Sequence, residues 1–236
     1  MTARAMVLAG VPLLMATPPS SKVEPRGRAA VLWMHGFRAD ALAHAAELER
    51  CADLGFIAVG ADAVDHGARA SAHLAERLRR STDGALPVML DVMEATVREL
   101  PALIDALVVE CGVDRDRVSL VGISMGAFLA YRAVTAGVPL RAVVALLGSP
   151  EWPRDTSAHL ALSAFGDVAL LSITAEYDAS VPPHGVFRLH DALSAQLPHA
   201  VAQHHHTLQG AGHLTTARQW AEAMQTTLAW LVRHGG

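Results

Sequence analysis

Ser124 is the residue of this chain most plainly set up to do chemistry. It stands at the centre of Gly122-Ile123-Ser124-Met125-Gly126, between the apolar run Val118-Ser119-Leu120-Val121 and the helix-prone segment Ala127 to Val134. A Gly-x-Ser-x-Gly turn from strand into helix holds its serine in a strained backbone conformation and lifts Oγ into a cleft. Side chains at the two flanking glycines would collide with neighbouring elements. The helix that begins there leaves the backbone N–H of Met125 without an intrahelical partner, aimed where negative charge builds on an attacked carbonyl. The chemistry implied is nucleophilic acyl transfer. The plainer reading of the five letters alone is a glycine-rich turn whose serine caps a helix.

Serine is a poor nucleophile near neutral pH, so a base and an orienting carboxylate must stand elsewhere in the chain. The run Ala169-Leu170-Leu171-Ser172-Ile173-Thr174 reads as a buried strand, and it empties into the polar, proline-ended loop Ala175 to Pro183, which holds Glu176 and Asp178. Val201 to Leu208 reads as the last strand, followed by Gln209-Gly210-Ala211-Gly212-His213-Leu214 ahead of a closing helix. His213 is the candidate base and Asp178 the candidate acid. The separations, 178 − 124 = 54 and 213 − 178 = 35 residues, leave room for one or two strand-helix units between members.

With these residues in view the chain resembles the α/β-hydrolase superfamily, and within it small serine esterases near the dienelactone-hydrolase-like and prolyl-oligopeptidase-like branches. Four features carry the resemblance: His35-Gly36-Phe37 after an early strand, the elbow at Ser124, Asp178 followed two residues on by Ser180-Val181-Pro182, and Gly212-His213. They span positions 35 to 213 in the superfamily's order of serine, acid, histidine. The resemblance implies a mainly parallel central sheet of about eight strands with helices on both faces. It places the second oxyanion donor at the Phe37 N–H, beside the Met125 N–H, with His35 fixing the loop. It prefers Asp178 over Glu176 as the acid, because Asp178 precedes the Val181-Pro182 turn. It implies no cofactor and no metal. A cysteine at the elbow would imply dienelactone hydrolases proper and an aspartate dehalogenase or epoxide-hydrolase chemistry; serine at 124 implies neither. The expected activity is hydrolysis of short- to medium-chain carboxylic esters through an acyl-serine. Thioesters, short peptides and acyl amides are alternatives, and a non-catalytic binding module on the same fold is a further one.

The wider sequence is consistent with this. A chain of 236 residues, 52% of them hydrophobic, can bury one sizeable core, so one hydrolase domain over 1–236 is expected. A formal net charge of −4 and no dense Lys/Arg cluster argue against nucleic acid as a partner and leave a small-molecule ester. Cys51 and Cys111 have no paired spacing for metal or redox work and read as reduced thiols, which suits a cytoplasmic location. Ala5 to Thr17 is apolar after Arg4, as in a short signal peptide, but Gly10, Pro12, Pro18 and Pro19 divide it, which fits two antiparallel strands and a turn. No segment offers the roughly 20 apolar residues a membrane helix needs.

The elements that must position the site are strands at Ala29–Met34, Phe56–Val59 and Ala142–Leu147, with helices between them. Asp40 is the expected cap of a helix whose apolar side carries Ala41, Ala45, Leu48, Cys51 and Ala52, with Glu47, Glu49 and Arg50 opposite and Gly55 as the stop. A loop is expected from Gly60, then a helix from about Leu90 to Val109 kinked or broken at Pro101. Trp220, Met224, Leu228 and Leu231 mark the core face of the closing helix. Gly148 to Asp167 is only about 20 residues, too short for a large cap, so the lid is minimal. Trp152, Pro153, Leu160 and Phe165 there, with Leu86, Met89 and Leu90, are candidate pocket lining, core packing being the alternative for each. His204-His205-His206 alternate faces in a strand and lack a nearby carboxylate at metal spacing, so they read as a solvated edge. His66 is expected to anchor its loop rather than line the pocket, and Asp62 and Asp65 are expected to be structural.

Overall fold

The computed structural model describes residues 3–19 and 27–236. Ser20 to Arg28 is polar in sequence and precedes the first central strand; its positions 20 to 26 lie outside the described residues. The apolar N-terminus forms a hairpin, β1 (Arg4–Leu8) and β2 (Val11–Ala16), closed by Ala9 and Gly10 with φ of 48° and 77°. Positive φ at both central residues gives the turn the twist of the strands it joins. The chain then alternates: β3 (Arg28–Met34), α1 (Ala45–Asp53), β4 (Ile57–Ala61), α2 (Ala72–Arg80), α3 (Leu86–Cys111), β5 (Val113–Ile123), α4 (Met125–Thr135), β6 (Ala142–Leu146), β7 (Ala169–Ala175), α5 (His184–Gln196), β8 (Ala202–Leu208) and α6 (Ala217–His234).

One sheet of eight strands results, in the order β1-β2-β4-β3-β5-β6-β7-β8. The β1–β2 and β2–β4 pairs are antiparallel and every other pair is parallel. Side chains alternate between two cores. Ala30, Leu32 and Met34 of β3 and Leu120 of β5 join the core under α3, α4 and α5, while Val31, Trp33, Val121 and Ile123 join the one under α1 and α6. Both faces are therefore apolar, as a mainly parallel sheet requires. Each fully buried Leu, Val or Ile contributes about 1.5–3 kcal/mol, so the central strands are the firmest base on which to mount loops.

Several expectations are corrected. β4 runs on to Ala61, so the loop begins later than Gly60. The loop after it contains α2, capped by the Ser71 side chain on the His73 N–H; none of its nine residues is buried, although Leu74, Ala75 and Leu78 repeat at helical spacing. Pro101 does not break the helix: α3 is continuous across it, with a buried stripe from Val88 through Leu100 to Leu107 on both sides of an exposed proline. That packing outweighs the roughly 3 kcal/mol an interior proline costs. Asp40 caps as expected, on the Ala43 N–H, but it caps a 3-10 turn (Ala41–His44) that precedes α1. Leu48, Cys51 and Ala52 of α1 are buried as expected, but Glu47 is buried beside them and accepts a hydrogen bond from Trp220 Nε1 at 3.0 Å.

Candidate active site

The C-terminal ends of β3, β5, β7 and β8 meet above the sheet. Ser124, directly after β5, has φ 54° and ψ −115°, a left-handed φ that non-glycine residues adopt at a cost, and its N–H is held by Leu146 O at 2.8 Å. The flanking glycines are sterically required. A Cβ on Gly122 would lie 1.9 Å from Gly126 O, and one on Gly126 would lie 2.2 Å from Met34 O.

His213 is brought to this serine from 89 positions away, its Nε2 3.0 Å from Ser124 Oγ. Its Nδ1 lies 2.7 Å from Asp178 Oδ2. A carboxylate can only accept, so Nδ1 carries the proton and Nε2 presents a lone pair to the serine hydroxyl. The other oxygen of Asp178 accepts from the Ser180 and Val181 N–H groups at 2.9 and 2.8 Å, which is what the short Asp-to-Val-Pro spacing provides. Asp178 is nearly sealed, with 1% of its side chain exposed, whereas His213 retains 22%. Glu176, the other acid in the loop, turns outward and accepts from the Gly210 N–H at 2.8 Å; that bond first, and Tyr177 second, holds its carboxyl below the usual range. Further backbone bonds, Glu176 N–H to Leu208 O and Tyr177 N–H to Ala211 O, sew the acid loop to the histidine loop.

The remaining candidates lie on the opposite flank of Ser124. Met125 is the first residue of α4, so its N–H is among those a helix cannot satisfy internally. Gly36 lies against the serine: a Cβ there would sit 3.6 Å from Ser124 Cβ. Gly36 O accepts from His35 Nδ1–H at 2.8 Å and from the Ala39 N–H at 3.1 Å. In a trans peptide the N–H of the next residue points away from that carbonyl, so these two bonds fix the direction of the Phe37 N–H. His35 Nε2 accepts from the Ala63 N–H at 3.0 Å, which sets the tautomer, and burial holds the ring's pKa below the usual histidine value. His66 anchors its loop, Nδ1–H donating to Val64 O at 2.9 Å, with its ring 5.3 Å from both His35 and Phe37. Asp62 accepts from the Ala41 and Ala68 N–H groups, and Asp65 from Ser71 Oγ–H, so both are structural as read.

The expected lining residues mostly belong elsewhere. Trp152 is 6% exposed and packs on Phe128, and Phe165 and Leu90 are core residues, while Pro153 and Leu160 face solvent. The histidine run is only partly a solvated edge. His204 stacks on Trp230 and His206 bonds Glu222, but His205 turns under α5 to bond Thr174 and stack on His190. Among the described residues no group of three or more His, Cys, Asp or Glu is placed to hold a metal ion, and no helix is long and apolar enough to cross a membrane.

An eight-stranded, mostly parallel sheet with helices on both faces and an elbow after its central strand is the α/β-hydrolase fold. Its likeness to solved structures is close: a Thermus thermophilus protein, TT1662, superposes with a TM-score of 0.76 at 24% identity, covering 99% of this chain and 98% of that one. The chain belongs to the dienelactone hydrolase family, whose model matches residues 18–231. A putative dienelactone hydrolase from Klebsiella pneumoniae has the same fold, with a TM-score of 0.66 at 17% identity and 98% of each chain covered. In sequence, the chain is 28% identical to Esterase YjfP of Escherichia coli over 142 residues, 60% of this chain and 53% of the relative, so the match spans about half of that protein's length.

Proposed function

We propose that this member of a hydrolase family is a serine carboxylesterase for short- to medium-chain esters, with Ser124 as nucleophile, His213 as general base and acid, and Asp178 as the group that orients and supports it. The observation that carries the reading is the unbroken hydrogen-bonded line from Ser124 Oγ through His213 to a buried, otherwise satisfied Asp178. The likeness to an esterase supports the ester as substrate.

Oγ attacks the ester carbonyl carbon while its proton passes to His213 Nε2, and the carbonyl oxygen, now an oxyanion, is received by the Phe37 and Met125 N–H groups. The C–O bond to the leaving alcohol breaks as Nε2–H returns the proton to that oxygen, leaving an acyl-serine. Water, deprotonated by the same nitrogen, adds to the acyl carbon, and Oγ leaves reprotonated. Thioesters and amides would pass through the same acyl-serine. One domain over 1–236 contains all the parts. A cytoplasmic setting is supported by the two free thiols, Cys51 being buried with its pKa pushed up to about 12.

Labelling with a fluorophosphonate probe, located by mass spectrometry and paired with p-nitrophenyl ester turnover, tests the reading. An adduct on Ser124 with ester turnover supports it. A folded protein that takes no adduct and hydrolyses no ester is a binding module instead.

A further inference from the structure

Two non-glycine residues with left-handed φ stand at the ends of neighbouring strands: Ser124 after β5, at 54°, and Leu147 after β6, at 56°. A leucine in that region is strained, and such residues persist only where their surroundings fix them. Leu147 is fixed at both ends. Its N–H donates to Ile173 O at 2.8 Å, and its side chain is buried in the core under α1 and α6. The residue before it, Leu146, supplies the carbonyl that holds the Ser124 N–H, and the residue after it, Gly148, lies against the first turn of α4. A Cβ on Gly148 would stand 2.3 Å from Ala127 Cβ, 3.1 Å from Ser124 O and 3.2 Å from Phe128 N. Ser124 O is the acceptor of the Ala127 and Phe128 N–H groups, so that contact falls on the bonds that start the helix.

The elbow is walled on its other side as well. β5 lies between β3 and β6 in the sheet, and on the β3 side a Cβ on Gly126 would stand 2.2 Å from Met34 O and 3.0 Å from His35 O. A push from position 148 therefore meets backbone across the elbow and is passed to Ser124 itself. We infer that Leu147 and Gly148 are positioning residues for the nucleophile: the left-handed turn at Leu147 brings Leu146 O and Gly148 against the elbow, and together they hold Ser124 Oγ 3.0 Å from His213 Nε2. This rests on the serine esterase reading of Ser124. Acting through the serine, the two residues set the rate of attack and not the affinity for the ester.

The test is Gly148→Ala. Ordinary van der Waals contact begins at 3.4 Å, so the new methyl must open the seat of α4 by about 1 Å. A shift of that size should lower kcat by about 10²-fold with KM held within about twofold, and the rate constant of fluorophosphonate labelling should fall in parallel. Gly148→Ala with Ala127→Gly removes the 2.3 Å contact and leaves those at 3.1 and 3.2 Å. That double variant should regain about tenfold in kcat yet stay about threefold below Ala127→Gly alone, which carries the test if Gly148→Ala does not fold. Leu193→Ala, a cavity in the core under α5, separates stability from positioning: it should melt earlier than wild type with kcat within about twofold. A folded Gly148→Ala with kcat within about threefold of wild type, a loss that Leu193→Ala reproduces, or a double variant equal to Ala127→Gly overturns the positioning role while leaving the esterase intact. Wild type that takes no fluorophosphonate on Ser124 and hydrolyses no ester overturns both.

Discussion

The two flanks of Ser124 are built in opposite ways. On the β7–β8 side the acid and histidine loops are joined by backbone hydrogen bonds at Glu176 and Tyr177 and by the Gly210 N–H on the Glu176 carboxylate, and Asp178 is sealed with both oxygens occupied. On the β4 side α2 has no buried residue and is tied down through ion pairs such as Arg77 with Asp91, while Arg69 with Glu99 pins the loop before it. Proton transfer tolerates little misplacement, so the groups assigned to it sit on a backbone with no spare freedom. Among the described residues the α2 flank carries no such network and is held instead by charge pairs, each worth about 0–1 kcal/mol.

The largest expected effect tests the rigid flank at its centre. Ser124→Ala should lower ester turnover by about 10⁴-fold or more with circular dichroism unchanged; near-wild-type rates would remove the mechanism. Asp178→Asn should cost about 10³–10⁴ in kcat, whereas Glu176→Ala, on the outward acid of the same loop, should stay within a few-fold; equal losses would reverse their roles. Gly122→Ala should destabilise the protein by about 4 kcal/mol or prevent folding, because its methyl meets backbone at 1.9 Å. Gly36→Ala is the informative contrast. Its Cβ has ordinary room at 3.6 Å from Ser124 Cβ, so the protein should fold normally yet turn over slowly.

The histidines between α5 and the sheet, His190 on the helix and His205 on β8, give a pH dependence. His190, with Nε2 on Ser172 Oγ, is pushed down to about 4 by burial first and then by His205 and His204; His205 is itself lowered by burial and its neighbours His204 and His206. The native state thus keeps His190 neutral over a range in which the unfolded chain, titrating near 6.5, takes up a proton. Its contribution is complete above about 6.5, is lost as pH falls toward 4 and levels off below, a change on the order of 3 kcal/mol. Denaturation midpoints at several pH values check this, and a flat profile through that window would contradict it. The smallest effect belongs to the looser flank: Arg77→Ala should cost less than about 1 kcal/mol in thermal unfolding.

This asymmetry also explains what could be read from the sequence. The elbow is legible in five consecutive letters, although Met34 of β3 excludes a side chain at Gly126 and Leu146 of β6 holds the Ser124 N–H. Asp178 was findable because it follows an apolar run that could only be a central strand, and His213 because it stands in a glycine-rich loop between the last strand and the closing helix. α2 offered Leu74, Ala75 and Leu78 at helical spacing but only nine residues and no buried position, so nothing in it marked a core-facing element. Pro101 and Glu47 misled for another reason: a proline's local preference and a glutamate's usual exposure were both overruled by partners far along the chain, the sheet under α3 and Trp220 of α6. Trp152 and Phe165 could not be sorted between pocket and core without knowing which helix lay beside them.

The bond from the Trp220 indole to Glu47 offers an optical handle. It spans 173 positions and ties α1 to the helix that begins four residues after His213. An indole whose N–H is bound to a shielded carboxylate emits differently from one in water. If Trp33, Trp152 and Trp230 are replaced by phenylalanine in a variant that still folds, the remaining emission would report whether this last helix is seated. Detachment of the chain's end could then be timed separately from collapse of the sheet.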